Sequence, residues 1–178
     1  MNRKTLYIAQ AAMIAALYVV LTFLANMFGL ANYAIQVRFS EALTILPLFT
    51  PAAVPGLFIG CIISNLLTGC MPLDVIFGSL ATLAGAFGTL LLKKAAVRTV
   101  ENVKKERPWI AALPPIAANT IVVPLVLRYV YELPGSIPYF MLTVGAGEVI
   151  SAGVLGCILY YALRPHASRI FIQQPADK

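Results

Sequence analysis

Glu148 lies in the run TVGAGEVISAG, and no basic residue in its own apolar segment can pair with it; in this chain 60% of residues are hydrophobic and 11% charged. It falls about ten residues past Pro138, on the order of 15 Å deep at helical rise, with Gly145, Ser151 and Ala152 on the same face. A charge at that depth costs about 2.5–3.5 kcal/mol even on lenient insertion scales, so such residues line a cavity or a pathway. Small neighbours leave space for a polar ligand beside it. The stretch QVRFSEALTILP adds Arg38 and Glu41, three residues apart, as pocket groups; in the alternative reading Glu41 is a first-turn carboxylate with Ser40 as N-cap. Asp74 stands third in a helix opened by Pro72, where it either meets a ligand or complements the positive helix end. Asn119, five residues before Pro124, and Asn65, beside Ser64, either contact ligand or hydrogen-bond between helices. Arg128 and Glu132, spaced i,i+4, are expected to pair with each other.

None of this amounts to a reaction centre. The single histidine, His166, sits in a basic tail, which argues against Ser-His-Asp, Cys-His and zinc arrangements, and no metal site or cofactor is expected. Cys61, Cys70 and Cys157 lie singly in apolar stretches and read as packing residues. No G-x-x-x-x-G-K-[ST] loop occurs, so the chain has no visible means of using ATP. The expectation is a protein that binds but does not catalyse.

The elements that must hold these groups are membrane helices. The mean hydropathy is +0.86, and a soluble domain of this length cannot hide so much apolar surface, so the solvent is lipid. The net charge of +6 comes without a basic face interleaved with aromatics, which excludes nucleic acid. Arg3 and Lys4 open the chain like a secretory signal, but the apolar run continues from Leu6 to about Leu30, longer than a signal core of about 7–15 residues. Cutting at Pro, Gly and charge leaves six spans: Thr5 to Gly29, Phe39 to Thr50, Ala52 to Cys70, Pro72 to Leu92, Trp109 to Tyr131 and Pro138 to Leu163. The second is too short to cross straight, and LPLFTPAAVPG cannot be regular helix throughout.

Eleven of the 13 basic residues fall before the first span, in residues 93–108 or after the sixth. With six spans these regions share one side, so both termini are expected in the cytoplasm. That side sums to +8 and the outer half to −2, the latter from Arg38, Arg128, Glu41, Asp74, Glu132 and Glu148. The basic loop 93–108 is expected to be an interfacial amphipathic turn or helix. Small residues at helical spacing, Gly56, Gly60, Ser64 and Thr68, and Ala81, Gly85 and Thr89, are packing ladders. The first helix carries two overlapping small pairs, Ala11 with Ala15 and Ala12 with Ala16, either of which could face a partner. The chain reads as one membrane domain, residues 1–178.

At QVRFSEALTILPLFTPAAVPGLFIGCIISNL and DVIFGSLATLAGA the sequence resembles the QueT family of queuosine-precursor transporters, which are substrate-binding S components of energy-coupling factor (ECF) transporters. The resemblance implies a compact all-α bundle of six transmembrane helices in a bacterial plasma membrane, both termini cytoplasmic. It implies an outward ligand pocket closed by extracellular loops, and docking on a T component that carries two ABC-type ATPases. Ala11, Ala12, Ala15 and Ala16 match the Ala-x-x-x-Ala docking pattern, without deciding the pair. The implied ligand is a deazaguanine such as aminomethyl-deazaguanine or queuine. Its ring NH and exocyclic amino group are adjacent donors that one carboxylate accepts together, which suits the acidic outer half; Glu148 is the first choice, with Glu41 or Asp74 for a second polar group. Three alternatives stay open: an S component for another vitamin-like molecule, a stand-alone small-solute carrier, and a structural membrane subunit without ligand.

Overall fold

The computed structural model describes residues 2–29, 37–100 and 103–171. Glu101, Asp177 and Lys178, used above for topology, lie outside the described residues, as does Gln36 of the QVRFSEAL stretch. The chain begins with α1, Arg3–Met27, capped by the Asn2 side chain. A 3-10 segment, Phe39–Leu48, leads through Pro51 into α2, Ala53–Leu67. Pro72 and Pro108, at helix starts where a missing N–H costs nothing, open α3, Pro72–Leu91, and α5, Pro108–Tyr129. The last helical run comprises α6, Ile137–Glu148, a π-helical turn, Val149–Leu155, and α7, Gly156–Leu163; a short 3-10 turn then leads to α8, Ala167–Ile170.

Four of these helical stretches, Arg3–Met27, Pro72–Leu91, Pro108–Tyr129 and Ile137–Ile170, are long and apolar enough to cross a membrane. Phe39–Leu48 and α2 are shorter. At helical rise they reach roughly 20 Å and 22 Å, against a hydrocarbon core of about 30 Å. Of the six expected spans, four are helices long enough to cross and two are shorter apolar helices, Phe39–Leu48 as expected and α2 beyond expectation. The 3-10 segment is the centre of the bundle: every residue from Ser40 to Leu48 is buried. Pro47 removes one donor inside it, consistent with a tightened, irregular helix in place of an α-helix.

Small residues set how closely the long helices approach. A Cβ on Gly60 would stand 2.8 Å from Tyr18 Cβ and 3.0 Å from the Ala15 carbonyl, so α2 lies directly against the α1 backbone only because that position is glycine. The Ala81, Gly85 and Thr89 ladder faces α5, where Thr89 Oγ1 donates to the Ala111 carbonyl at 2.7 Å. The loop 93–108 departs from expectation. After a single helical turn, α4 (Lys93–Ala96), it forms an antiparallel hairpin of β1, Val97–Val100, and β2, Val103–Glu106. The β-branched residues Val97, Thr99, Val100 and Val103 favour strand over helix here.

Gln10 ties the start of α1 to the end of the chain's last helical run, and Tyr7 ties it to the connection before α2. Gln10 Nε2 donates to the Ile170 carbonyl and Tyr7 Oη to the Pro51 carbonyl, at 3.2 and 3.4 Å. Arg164 pairs with Glu106 at 2.9 Å. One end of the bundle thus gathers the N-terminus of α1, the hairpin and the end of the last helical run.

Candidate functional site

A cavity of about 570 Å³ opens between α1, α2, α3 and α5, within the range of small-molecule sites. Arg38, Asn65 and Asp74 line it, together with Asn26, Thr68 and Tyr131. Three of the six residues singled out from the sequence are thus brought to one wall. Asp74 is held from outside its helix: Tyr131 Oη donates to Asp74 Oδ2 at 2.8 Å and accepts from the Met71 amide at 3.2 Å. Asp74 Oδ1 has no hydrogen-bond partner among the described residues. It faces the Asn65 amide across Gly78, where a Cβ would lie 3.3 Å from Oδ1 and 3.4 Å from Asn65 Nδ2. One carboxylate oxygen is fixed and the other is free beside an amide donor.

Beneath this wall lies a second polar layer. Glu41, 1% exposed, accepts from Tyr18 Oη at 2.6 Å on Oε1 and from Asn119 Nδ2 at 3.3 Å on Oε2. Glu41 does stand in the first turn of the 3-10 segment, but Ser40 is not its N-cap: Arg38 occupies the cap position and no side chain caps the segment. Glu148, 5% exposed, stands at the last α-helical position before the π-helical turn, and its Oε2 is buried without a partner. A widened turn re-aims the residues at its start, a common device at functional sites. The Arg38 amide donates to Ser151 Oγ at 3.1 Å within that turn, which links the cavity wall to the last helical run. Glu148, Glu41 and Asn119 do not line the cavity; they form its buried support.

Arg128 does not pair with Glu132. Its Nη1 donates to the Leu133 carbonyl at 3.2 Å, and Glu132 takes a left-handed conformation, φ 51°, in the turn that follows α5. A helical i,i+4 pair needs both residues on one helix, and α5 ends at Tyr129. That turn directs Tyr131 onto Asp74. Tyr131 and Tyr18 were not legible as site residues, although a tyrosine hydroxyl in an apolar run must find an acceptor when buried. Burial, and after it the bond to Asp74, pushes the Tyr131 phenol well above its usual pKa.

The alanine pairs of α1 separate cleanly. Ala15 is buried and Ala11 half-buried, and Gly56 and Gly60 of α2 lie against their backbone. Ala12 and Ala16 are exposed, on a face shared with Met13, Leu17 and Val20.

A family profile described as QueT transporter matches residues 8–165. The chain belongs to the QueT transporter family. It is also 32% identical, over 143 residues, to a protein of Lactococcus lactis subsp. cremoris (strain MG1363) named queuosine precursor transporter QueT, covering 80% of this chain and 81% of that protein. No solved structure matches the chain. Membership in the QueT transporter family, with the long apolar helices, makes this a multi-pass membrane transporter and not an enzyme.

Proposed function

We propose that the chain is the substrate-binding S component of an ECF transporter and that it takes up a queuosine precursor, a deazaguanine such as aminomethyl-deazaguanine or queuine. The single observation that carries this reading is the half-fixed carboxylate of Asp74 in the cavity wall. Its free Oδ1, with Oδ2 still able to accept a second bond, can take the adjacent ring NH and exocyclic amino donors, while Asn65 offers both a donor and an acceptor to the same ring edge. Asp74 therefore takes the role first given to Glu148. Glu41 and Glu148 lie deeper, as buried support for the wall. Both termini are cytoplasmic in this reading, with the cavity facing outward. The exposed Ala12 and Ala16 are the pair that docks on the T component and its two ATPases, since Ala11 and Ala15 already pack on α2. The setting is the plasma membrane of a bacterium.

Titration calorimetry tests the ligand. Wild type should bind aminomethyl-deazaguanine and bind poorly an analogue lacking the exocyclic amino group. Asp74→Asn should lose a charge-assisted contact worth about 1.5–3 kcal/mol, roughly ten- to hundred-fold in affinity, and Glu148→Gln should lose less. Equal affinity of wild type and Asp74→Asn would remove this wall from the site.

A further inference from the structure

A second cavity, of about 470 Å³, lies at the basic end of the bundle, away from Asp74. Its walls hold Lys93 from α4, Glu106 from β2, Arg164 from the end of the last helical run, and the aromatic rings of Phe49, Tyr160 and Phe171. The Phe49 ring stacks on Tyr160 at 5.1 Å and on Phe171 at 5.3 Å, so one wall is a continuous aromatic surface.

The charges are arranged for an anion. Glu106 is 8% exposed and pairs with Arg164 Nε at 2.9 Å, a contact at ion-pair distance without directed hydrogen-bond geometry. That pairing orients the guanidinium by its inner edge. Its terminal nitrogens have no protein acceptor among the described residues, and the Arg164 side chain is 51% exposed. Lys93 stands in the same wall with no carboxylate partner among the described residues. Burial lowers its pKa below the usual lysine value, as expected of an ammonium that lacks a counter-charge. One acid has thus been spent on one of two cations, and the site keeps a net positive charge with open donors.

We propose that this cavity binds a phosphoryl group, supplied by the headgroup of an anionic phospholipid. The position favours lipid: the same end gathers Arg3, Lys4, Lys94 and Arg107, and basic pockets between membrane helices at such an end hold anionic headgroups. The phosphate meets Lys93 and the outer edge of Arg164, and the lipid's upper chain lies along the aromatic wall. A choline headgroup would set a third cation beside Lys93 and Arg164, so the site discriminates against phosphatidylcholine.

Native mass spectrometry of the detergent-purified protein with phosphatidylglycerol, phosphatidylcholine and soluble glycerol phosphate tests this. The expected result is preferential retention of phosphatidylglycerol. Lys93→Gln should weaken it about fivefold, equivalent to about 1 kcal/mol for one interfacial cation. Lys94→Gln removes the same charge from an exposed position outside the cavity and should leave retention unchanged. Should glycerol phosphate bind as tightly as phosphatidylglycerol, with the same loss in Lys93→Gln, the phosphoryl site stands and its source is soluble. Equal effects of the two lysine variants would reduce the preference to general surface charge and overturn the site. Indifference to all three ligands would overturn it as well. Lys93 is the chosen position because Arg164→Gln would strand the buried Glu106 and confound binding with folding.

Discussion

Gly85→Ala is the most direct test of how the cavity is held. A Cβ there would stand 2.6 Å from Pro115 Cα and 2.9 Å from Pro115 Cβ, whereas ordinary contact begins at 3.4 Å, leaving a shortfall of about 0.8 Å. The obstacle is backbone and a ring fixed to it, so no rotamer change relieves the clash and α3 must move from α5. Overpacking of this kind costs about 1–3 kcal/mol, offset by about 0.5–1 kcal/mol from replacing a helical glycine. The net loss is roughly 0–2.5 kcal/mol, centred on about 1.25 kcal/mol, or about 2.5–5 °C in melting temperature at about 2–4 °C per kcal/mol for a chain of this size. α3 also carries Asp74. If the helix retreats rigidly, the 2.8 Å bond from Tyr131 opens to about 3.6 Å, beyond hydrogen-bonding distance. Thermal unfolding in detergent and calorimetric titration with aminomethyl-deazaguanine should therefore both report a loss. Gly153→Ala is the control, since its nearest neighbour, Ile116 Cδ1, lies at 3.7 Å, and it should melt at or above wild type. A Gly85→Ala protein that melts within a degree of Gly153→Ala would refute the argument from close backbone approach.

Glu41→Ala should destabilise the protein by about 2–6 kcal/mol, because the Tyr18 hydroxyl and the Asn119 amide are both left as buried orphan donors. Glu41→Gln should cost distinctly less, since Asn119 can turn its amide to accept; melting temperatures of the pair check the order. Ala12→Trp or Ala16→Trp should leave ligand affinity intact and abolish co-purification with the T component, while Ala15→Trp should fail to fold against α2; pull-down and size-exclusion profiles separate these outcomes. Tyr131→Phe should weaken ligand binding roughly tenfold by releasing Asp74. Because the folded phenol titrates above its unfolded value, the Tyr131 contribution should be fully present below about pH 10 and be lost only as pH rises through the raised value, which a pH series of wild type against Tyr131→Phe would read.

Much of the architecture was legible because it depends on local sequence. Pro72 opens a helix where the chain says it should, and Pro51 interrupts the helix between Leu48 and Ala53, with Pro47 inside the 3-10 segment and Pro55 in the first turn of α2. Six apolar segments were found near their true limits. That two of them fall short of a bilayer, one as a buried 3-10 core, was only half visible, in the shortness of the second. The hairpin in 93–108 was missed because the eight charged residues in that stretch read as an interfacial amphipathic turn or helix, and the β-branched Val97, Thr99, Val100 and Val103 were not set against that.

The sequence alone determined that lipid is the solvent, that charge divides between two ends, and that Asp74, Arg38, Asn65, Glu41, Asn119 and Glu148 are the groups needing an explanation, since each is costly in an apolar setting wherever it points. The tertiary structure decided which of them share a wall. Asp74 reaches the cavity with one oxygen free because Tyr131 returns across a loop to hold the other, and Glu148, the last residue of α6, is buried outside that cavity. The same applies to α1, whose overlapping alanine pairs are identical in composition and spacing. Only α2, laid against Ala11 and Ala15 by glycines more than forty residues away, leaves Ala12 and Ala16 uncovered. Helical periodicity fixes which residues share a face, but which face is buried depends on partners distant in the chain, and those partners meet only in the folded bundle.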